Sequence, residues 1–128
     1  MNLSDHPYAA IGARTANELL DAIDGCRAVI VATIDGFSLA VAQRQSIDAD
    51  RLAAMVSSIG ALGAAASRET GIGTPRCLVV ESTEGRLVVR CVNTGTHDLV
   101  IAVLADTKAL LGMVWTALAH SEKALVAA

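Results

Sequence analysis

The longest uncharged segment of the chain runs from Leu52 to Ser67 and has the hydrophobic pattern of an α-helix. Its large apolar residues recur at the spacing of one helix face. These residues are Leu52, Met55, Val56, Ile59 and Leu62. The opposite face carries only small uncharged residues, namely Ala54, Ser57, Ser58, Ala61 and Ala65. An exposed helix usually carries charged side chains on its outer face. The pattern therefore predicts that both faces are buried, one on the protein's own sheet and the other on a second chain.

Capping signals predict the ends of three helices. Thr15 to Glu18 match a capping box, in which the two side chains bind free N–H groups at a helix start, and Gly25 is a plausible stop. Asp48 is a good N-cap for the long uncharged helix, and Gly71 ends it. The last helix is expected to begin after residue 106 or 107 and to end near residues 121–123.

Runs of β-branched and apolar residues predict five strands between these helices. Their predicted ranges are 28–34, 37–42, 76–82, 86–92 and 97–104. Asp35-Gly36 and Glu84-Gly85 favour two-residue hairpin turns, and Asn93 to Thr96 give a third turn signal. Because hairpins join antiparallel strands, the order α-β-β-α-β-β-β-α predicts a mostly antiparallel sheet in a three-layer α/β/α sandwich. We expect a partly ordered leader over residues 1–13, one domain over 14–123 and a short tail over 124–128.

Composition and charge exclude several classes of function. The 128 residues suffice for a single folded domain, since 53% are hydrophobic and 18% charged. Aromatic residues make up only 2%, and the net charge is -3, which argues against binding to nucleic acid or to an anionic membrane. No segment has the length and apolarity of a membrane span or the pattern of a signal peptide. The three scattered cysteines are typical of reduced thiols in a cytoplasmic protein.

No residue pattern points to catalysis or to a cofactor. The three histidines lack metal-ligand spacing, and neither a nucleophile motif nor a phosphate-binding loop is present. Exposed arginines could in principle act in trans on a bound GTPase, and the candidates are Arg44, Arg51 and Arg68. A solvated surface role is the better interpretation of each. We therefore expect no catalytic, metal-binding or cofactor-binding residue.

The order of these elements resembles the Roadblock/dynein-light-chain family over about residues 15–121. The resemblance is carried by the strand that ends in Asp35-Gly36, the helix from Asp48 to Gly71 and the hairpin VVES-x-EG-x-LVV. The spacing from Leu104-Ala105-Asp106 to Leu111-Gly112 is the most family-like. The resemblance implies a profilin-like fold and a non-enzymatic regulator or scaffold for small Ras-like GTPases. Prokaryotic members are often encoded beside a GTPase and a sensor-like protein, which could be a membrane protein.

The resemblance also implies a homodimer with two contact regions. In such dimers the second helix packs beside its mate, and the third strand pairs edge to edge with its counterpart. The residues expected at the interface are Ala54, Ser57, Ser58, Ala61, Ala65, Arg76, Cys77, Leu78, Val79, Val80 and Glu81. Arg76 and Glu81 could form reciprocal ion pairs across the twofold axis, provided that the third strand lies at the edge of the sheet.

Two alternatives stay open at the level of sequence. A structural dimerisation module could tether a sensor or motor complex without any effect on nucleotide turnover. A small-molecule-sensing domain is disfavoured because no polar cluster lies in an apolar segment.

With Glu84-Gly85 as the turn, Cys77 should face Val92 and Cys91 should face Leu78, so that the two sulfurs lie on opposite faces of the sheet. A disulfide between them is therefore not expected.

Overall fold

The computed structural model describes residues 2–128, so Met1 of the predicted leader lies outside it. The helices are α1 (Ala9–Ala22), α2 (Ala49–Thr70) and α3 (Leu111–Ala127), preceded by a 3-10 turn at Leu3–Asp5. The strands are β1 (Cys26–Thr33), β2 (Ser38–Gln43), β3 (Cys77–Ser82), β4 (Gly85–Asn93) and β5 (Asp98–Asp106). The predicted order of helices and strands is confirmed.

The five strands form one antiparallel sheet in the order β2-β1-β5-β4-β3. The central strand β5 pairs along nearly its whole length with both β1 and β4. Its residues are almost all buried, as expected for a strand that is covered on both faces. The strands β2 and β3 are left at the two edges of the sheet.

Helices cover the sheet on both sides, which confirms the three-layer α/β/α fold. One core lies between the sheet and α1 and α3, and it includes Leu19, Val29, Ile101 and Leu118. A smaller core lies under α2, where Val56 packs with side chains of β1, β4 and β5. Alternate residues of each strand enter the two cores because side chains alternate across a pleated sheet.

The first helix begins earlier than predicted, and the last helix both begins and ends later than predicted. Thr15 is a buried residue inside α1, so the predicted capping box does not start this helix. At the other end of the chain, Asp106 does not cap α3, because this helix begins at Leu111 and has Leu110 at its N-cap. The Asp106 carboxylate accepts from the backbone N–H of Lys108 at 2.8 Å in the preceding turn. Both helices cross the predicted limits of the domain at residues 13/14 and 123/124. That division of the chain stays a prediction.

The turn of the β3–β4 hairpin lies one residue earlier than predicted, which shifts the pairing of the two strands by two residues. Ser82 pairs with Gly85, so the turn residues are Thr83 and Glu84. As a result Cys77 faces Arg90 instead of Val92. The shift is an even number of residues and leaves the facing of each side chain unchanged. Cys77 and Cys91 therefore still lie on opposite faces of the sheet, and both are free thiols.

Candidate interaction surface

The helix α2 is capped as predicted at both ends. The Asp48 carboxylate accepts from the N–H of Arg51 at 3.1 Å, and Gly71 adopts the left-handed conformation that ends the helix (φ 71°). These caps fix the length of α2 but not its rotation about its axis.

The rotation of α2 differs from the predicted one. The residues turned to the sheet are mainly small, and those that are buried are Ala53, Val56, Gly60 and Ser67. Of the predicted inner stripe, Leu52 and Ile59 are half-buried, whereas Met55 is 56% exposed and Leu62 is 72% exposed. The prediction that all five large apolar residues pack on the sheet is therefore wrong for Met55 and Leu62.

Contact between α2 and β3 explains one of the small residues on the inner face. A Cβ atom added at Gly63 would overlap the Leu78 side chain of β3, which would have to move. A Cβ atom added at Gly60 would meet nothing within 4 Å, so contact does not explain that glycine. The Ser57 hydroxyl donates a hydrogen bond to the carbonyl oxygen of Ile34 at 2.7 Å, which ties α2 to the β1–β2 turn. Ser57 was expected at a dimer interface, and it is engaged within its own chain.

The outer face of α2 has an uncharged apolar surface. The predicted interface residues Ala54, Ser58, Ala61 and Ala65 are exposed there, and Met55 and Leu62 add two large side chains. Such large apolar groups next to small ones are unusual on a solvated helix and typical of a protein–protein contact. Sequence reasoning found this surface but assigned its two largest residues to the opposite face.

The strand β3 has a free outer edge, as the edge-to-edge prediction requires. It pairs with β4 on one side only. The backbone groups on its outer side can therefore accept a strand from another chain. Val79 and Val80 are exposed, and Leu78 is half-buried under α2. The helix α2 lies close to this edge strand, because Gly63 of its inner face is in contact with Leu78.

The two charged residues of the expected interface differ in their position relative to β3. Glu81 lies in the strand and accepts a hydrogen bond from Arg86 of its own chain at 2.9 Å. Arg76 lies in the bend just before the strand, and its carbonyl oxygen accepts from the N–H of Cys91 at 3.0 Å. The expected reciprocal pairs between Arg76 and Glu81 would have to compete with the contact between Glu81 and Arg86 within the chain. They stay a prediction.

The arginines differ in their freedom to reach a partner. Arg44 donates hydrogen bonds to the carbonyl oxygens of Leu20 at 2.8 Å and Cys26 at 3.2 Å, and it lies 3.5 Å from Asp21. It therefore holds the end of α1 to the sheet. Arg51 and Arg68 are exposed near the two ends of α2.

A cluster of rings near the start of the chain was not foreseen. The His97 ring lies 5.0 Å from the His6 ring and 5.3 Å from the Tyr8 ring, measured between centroids. The Thr96 hydroxyl lies 3.0 Å from His97 Nδ1 and 3.4 Å from the Tyr8 hydroxyl. Hydrogen bonds to threonine hydroxyls, first Thr94 and then Thr96, lower the pKa of Tyr8. The cluster fastens the predicted leader to the β4–β5 turn.

The cysteine thiols are poor nucleophiles in this fold. Burial raises the pKa of Cys26 to about 11, and burial also raises the pKa values of Cys77 and Cys91.

Within residues 2–128, no three histidine, cysteine or acidic side chains converge as metal ligands. The described helices also include none that is long and apolar enough to cross a membrane.

Comparisons with known proteins agree with this architecture. The chain resembles the solved Roadblock/LC7 domain from Streptomyces avermitilis, with 24% identity, a TM-score of 0.79 and coverage of 88% of this chain and 92% of the other. It also resembles Myxococcus xanthus MglB, with 17% identity, a TM-score of 0.84 and coverage of 94% and 89%. Acanthamoeba castellanii profilin IB shares the fold at 8% identity, with a TM-score of 0.63 and coverage of 91% and 97%.

Sequence comparison gives the family directly. No curated protein matches the chain significantly. The family model described as the Roadblock/LC7 domain matches residues 13–105, which is well over half of the chain. The matched range extends from α1 to the end of β5 and includes both α2 and the edge strand β3. The chain therefore belongs to the Roadblock/LC7 family.

Proposed function

We propose that the protein is a cytoplasmic homodimeric adaptor that binds and regulates a small Ras-like GTPase. The observation that carries the proposal is the uncharged outer face of α2, on which Met55 and Leu62 are exposed, in a chain whose edge strand β3 has a free outer side. In a twofold dimer this face would pack on its own copy, and the two β3 edges would pair into one continuous sheet. Twofold homodimers are also the commonest oligomers.

The proposed interface combines small and large residues in complementary positions. Ala54, Ser58, Ala61 and Ala65 allow the two α2 helices to approach, and Met55 and Leu62 fill the spaces beside them. From β3 the interface takes residues 76–81, whose outer backbone groups pair across the axis. Ser57 has a minor place in it because its hydroxyl is bound to Ile34.

Binding of a GTPase is proposed from the family resemblance together with this surface. Its site would be composite, built from both chains over the α2 pair and the neighbouring loops. Regulation would operate by reordering residues of the GTPase. A sensor-like membrane protein is a further proposed partner, bound without insertion of this chain into the membrane.

Charged substitutions on the outer face of α2 test the dimer. We expect Ala61→Glu or Ser58→Arg to give a monomer with an unchanged circular dichroism spectrum, because both positions are exposed within one chain. Light scattering at micromolar concentration measures the mass. Glu84→Arg, in the exposed β3–β4 turn, is the matched control and should remain dimeric. A wild-type monomer, or dimeric variants at both positions, would reject this interface.

The effect on a GTPase separates regulation from simple tethering. The protein is added to a small Ras-like GTPase from the same organism, and the rates of GTP hydrolysis and nucleotide exchange are measured. We expect at least one rate to change with the wild-type dimer and neither to change with Ala61→Glu. If the dimer binds the GTPase but changes neither rate, the structural tether is the correct function.

A further inference from the structure

Exposed apolar side chains also lie on the sheet face opposite α2. Trp115 of α3, the only tryptophan of the chain, is 46% exposed, and its indole lies near the Cys77 thiol of β3, where it opposes the rise in the pKa of that thiol that burial causes. Val79 points to the same face of β3 and is 37% exposed. Within residues 2–128 the edge strand is thus partly uncovered on this side, with the indole beside it.

We propose that pairing of two β3 strands creates a second docking groove here, which binds one amphipathic α-helix of another protein. The inference rests on the proposed homodimer. A twofold axis perpendicular to the sheet keeps the same face of both chains on the same side. The two Val79 side chains then form the floor of the groove, and the two Trp115 side chains form its walls.

The dimensions of the groove suit a single helix. Neighbouring strands lie about 4.8 Å apart, so two uncovered β3 strands expose a strip about 10 Å wide. An α-helix with its side chains has a diameter of about 10 to 12 Å. Two helices side by side would need about 8 to 10 Å more between their axes. Because the groove lies on the twofold axis, it binds one helix per two chains.

Charge specifies the chemistry of this helix. Glu81 lies two residues from Val79 on the same face of β3, and its side chain is 60% exposed although Arg86 binds one of its oxygens. Antiparallel pairing of the two strands places one Glu81 at each end of the groove. The partner helix therefore carries an aliphatic stripe for Val79 and Trp115, with a lysine or arginine near each end.

This groove and the outer face of α2 lie on opposite sides of the sheet. A GTPase over the α2 pair and a helix between the two α3 helices can therefore bind at the same time. The dimer then connects a GTPase to a second protein, which gives the adaptor two separate docking faces.

A synthetic peptide tests the groove. The probe is an alanine-based helix of about 20 residues with a leucine at every third or fourth position. Two lysines about nine residues apart match the two Glu81 residues, which are about 13 Å apart along the paired strands. We expect it to shift the Trp115 emission to shorter wavelength and to saturate at one peptide per two chains. A peptide with glutamate in place of the lysines should bind at least tenfold more weakly. Saturation at one peptide per chain would overturn the proposal.

Two variants of α3 locate the binding site. Anisotropy of a labelled peptide should show at least a tenfold loss of affinity for Trp115→Glu. Met113→Glu is the matched control, because Met113 is 55% exposed on the same helix but lines the cleft toward α1. Equal losses for both variants would show non-specific binding to α3 and reject the groove.

Light scattering of the same samples separates the two proposals. If the wild-type protein is monomeric, the proposed homodimer fails and the groove fails with it. If the protein is dimeric but the peptide neither shifts the Trp115 emission nor changes in anisotropy, the groove alone is rejected. A dimer that binds the peptide at a ratio of two chains to one supports both.

Discussion

Truncation of Leu62 to alanine gives a quantitative test of the outer face of α2. The substitution removes three apolar carbons from a side chain that is 72% exposed in a single chain. Burial of one apolar carbon stabilises by about 0.8 kcal/mol. Burial of the exposed 72% of these three carbons on dimerisation would therefore contribute about 1.7 kcal/mol per chain. An isologous interface contains the residue twice, which gives about 3.5 kcal/mol. The dimer dissociation constant should therefore rise roughly 300-fold.

The assay for Leu62→Ala is analytical ultracentrifugation over a series of concentrations. Leu110→Ala is the matched control, because Leu110 is 66% exposed but lies at the start of α3. It should leave the dissociation constant unchanged. The change at Leu62 removes no contact buried within the chain, so the unfolding free energy of the monomer should change by less than about 0.5 kcal/mol. A rise in the dissociation constant below about fivefold would refute the assignment of Leu62 to the interface.

Three further predictions concern the fold itself. Glu122→Ala should lower the unfolding free energy, measured by urea titration, by about 3 kcal/mol. The reason is that the mostly buried Arg90 guanidinium loses the carboxylate that lies 2.7 Å from it. A loss below about 1 kcal/mol would contradict this prediction. Gly60→Ala should stabilise α2 by up to about 1 kcal/mol, because an added Cβ meets nothing within 4 Å. Gly63→Ala should stabilise the protein less, because its Cβ would overlap a side chain of β3. Equal thermal shifts for the two glycine variants would refute this comparison. The pKa of Cys26 is raised to about 11 in the folded protein, so the protonated thiol stabilises the fold. This stabilisation is complete below the thiol pKa of the unfolded chain and is lost as the pH rises toward 11. Urea unfolding of wild type and Cys26→Ala between about pH 7 and 10.5 should therefore show a fall in unfolding free energy with pH that is larger for wild type.

The α2 helix shows how far pattern reasoning reaches. Its start, its end and its lack of charge all follow from local signals, because Asp48 and Gly71 act on the backbone next to them. Its rotation does not, because Met55 and Leu62 are as apolar as a core residue. The small residues were assigned outward on the assumption that large apolar groups pack on the chain's own sheet. Contact with Leu78 favours a smaller residue at Gly63 instead.

The contacts of the leader could not be found from local pattern. His6 and Tyr8 meet His97 only after β5 has been placed beside β1, which brings residues distant in sequence together. Neither His6 nor Tyr8 has a helical or strand-like periodicity around it. Similarly, the sequence favoured Glu84-Gly85 as a turn, whereas pairing along the whole length of β4 with β5 places Gly85 inside the strand.

The sequence by itself determined the order of elements, the antiparallel sheet, the limits of α2 and the presence of an uncharged helix. These features depend on alternation, capping and turn residues, all of which act within a few positions along the chain. Tertiary structure decided that β3 lies at an edge, that α2 turns Met55 and Leu62 outward, and that Trp115 lies beside the edge strand. Strand order and helix rotation depend on which surfaces, distant in sequence, pack most closely. Hydrophobic pattern alone does not distinguish an apolar residue that packs on its own sheet from an apolar residue that stays exposed on the surface.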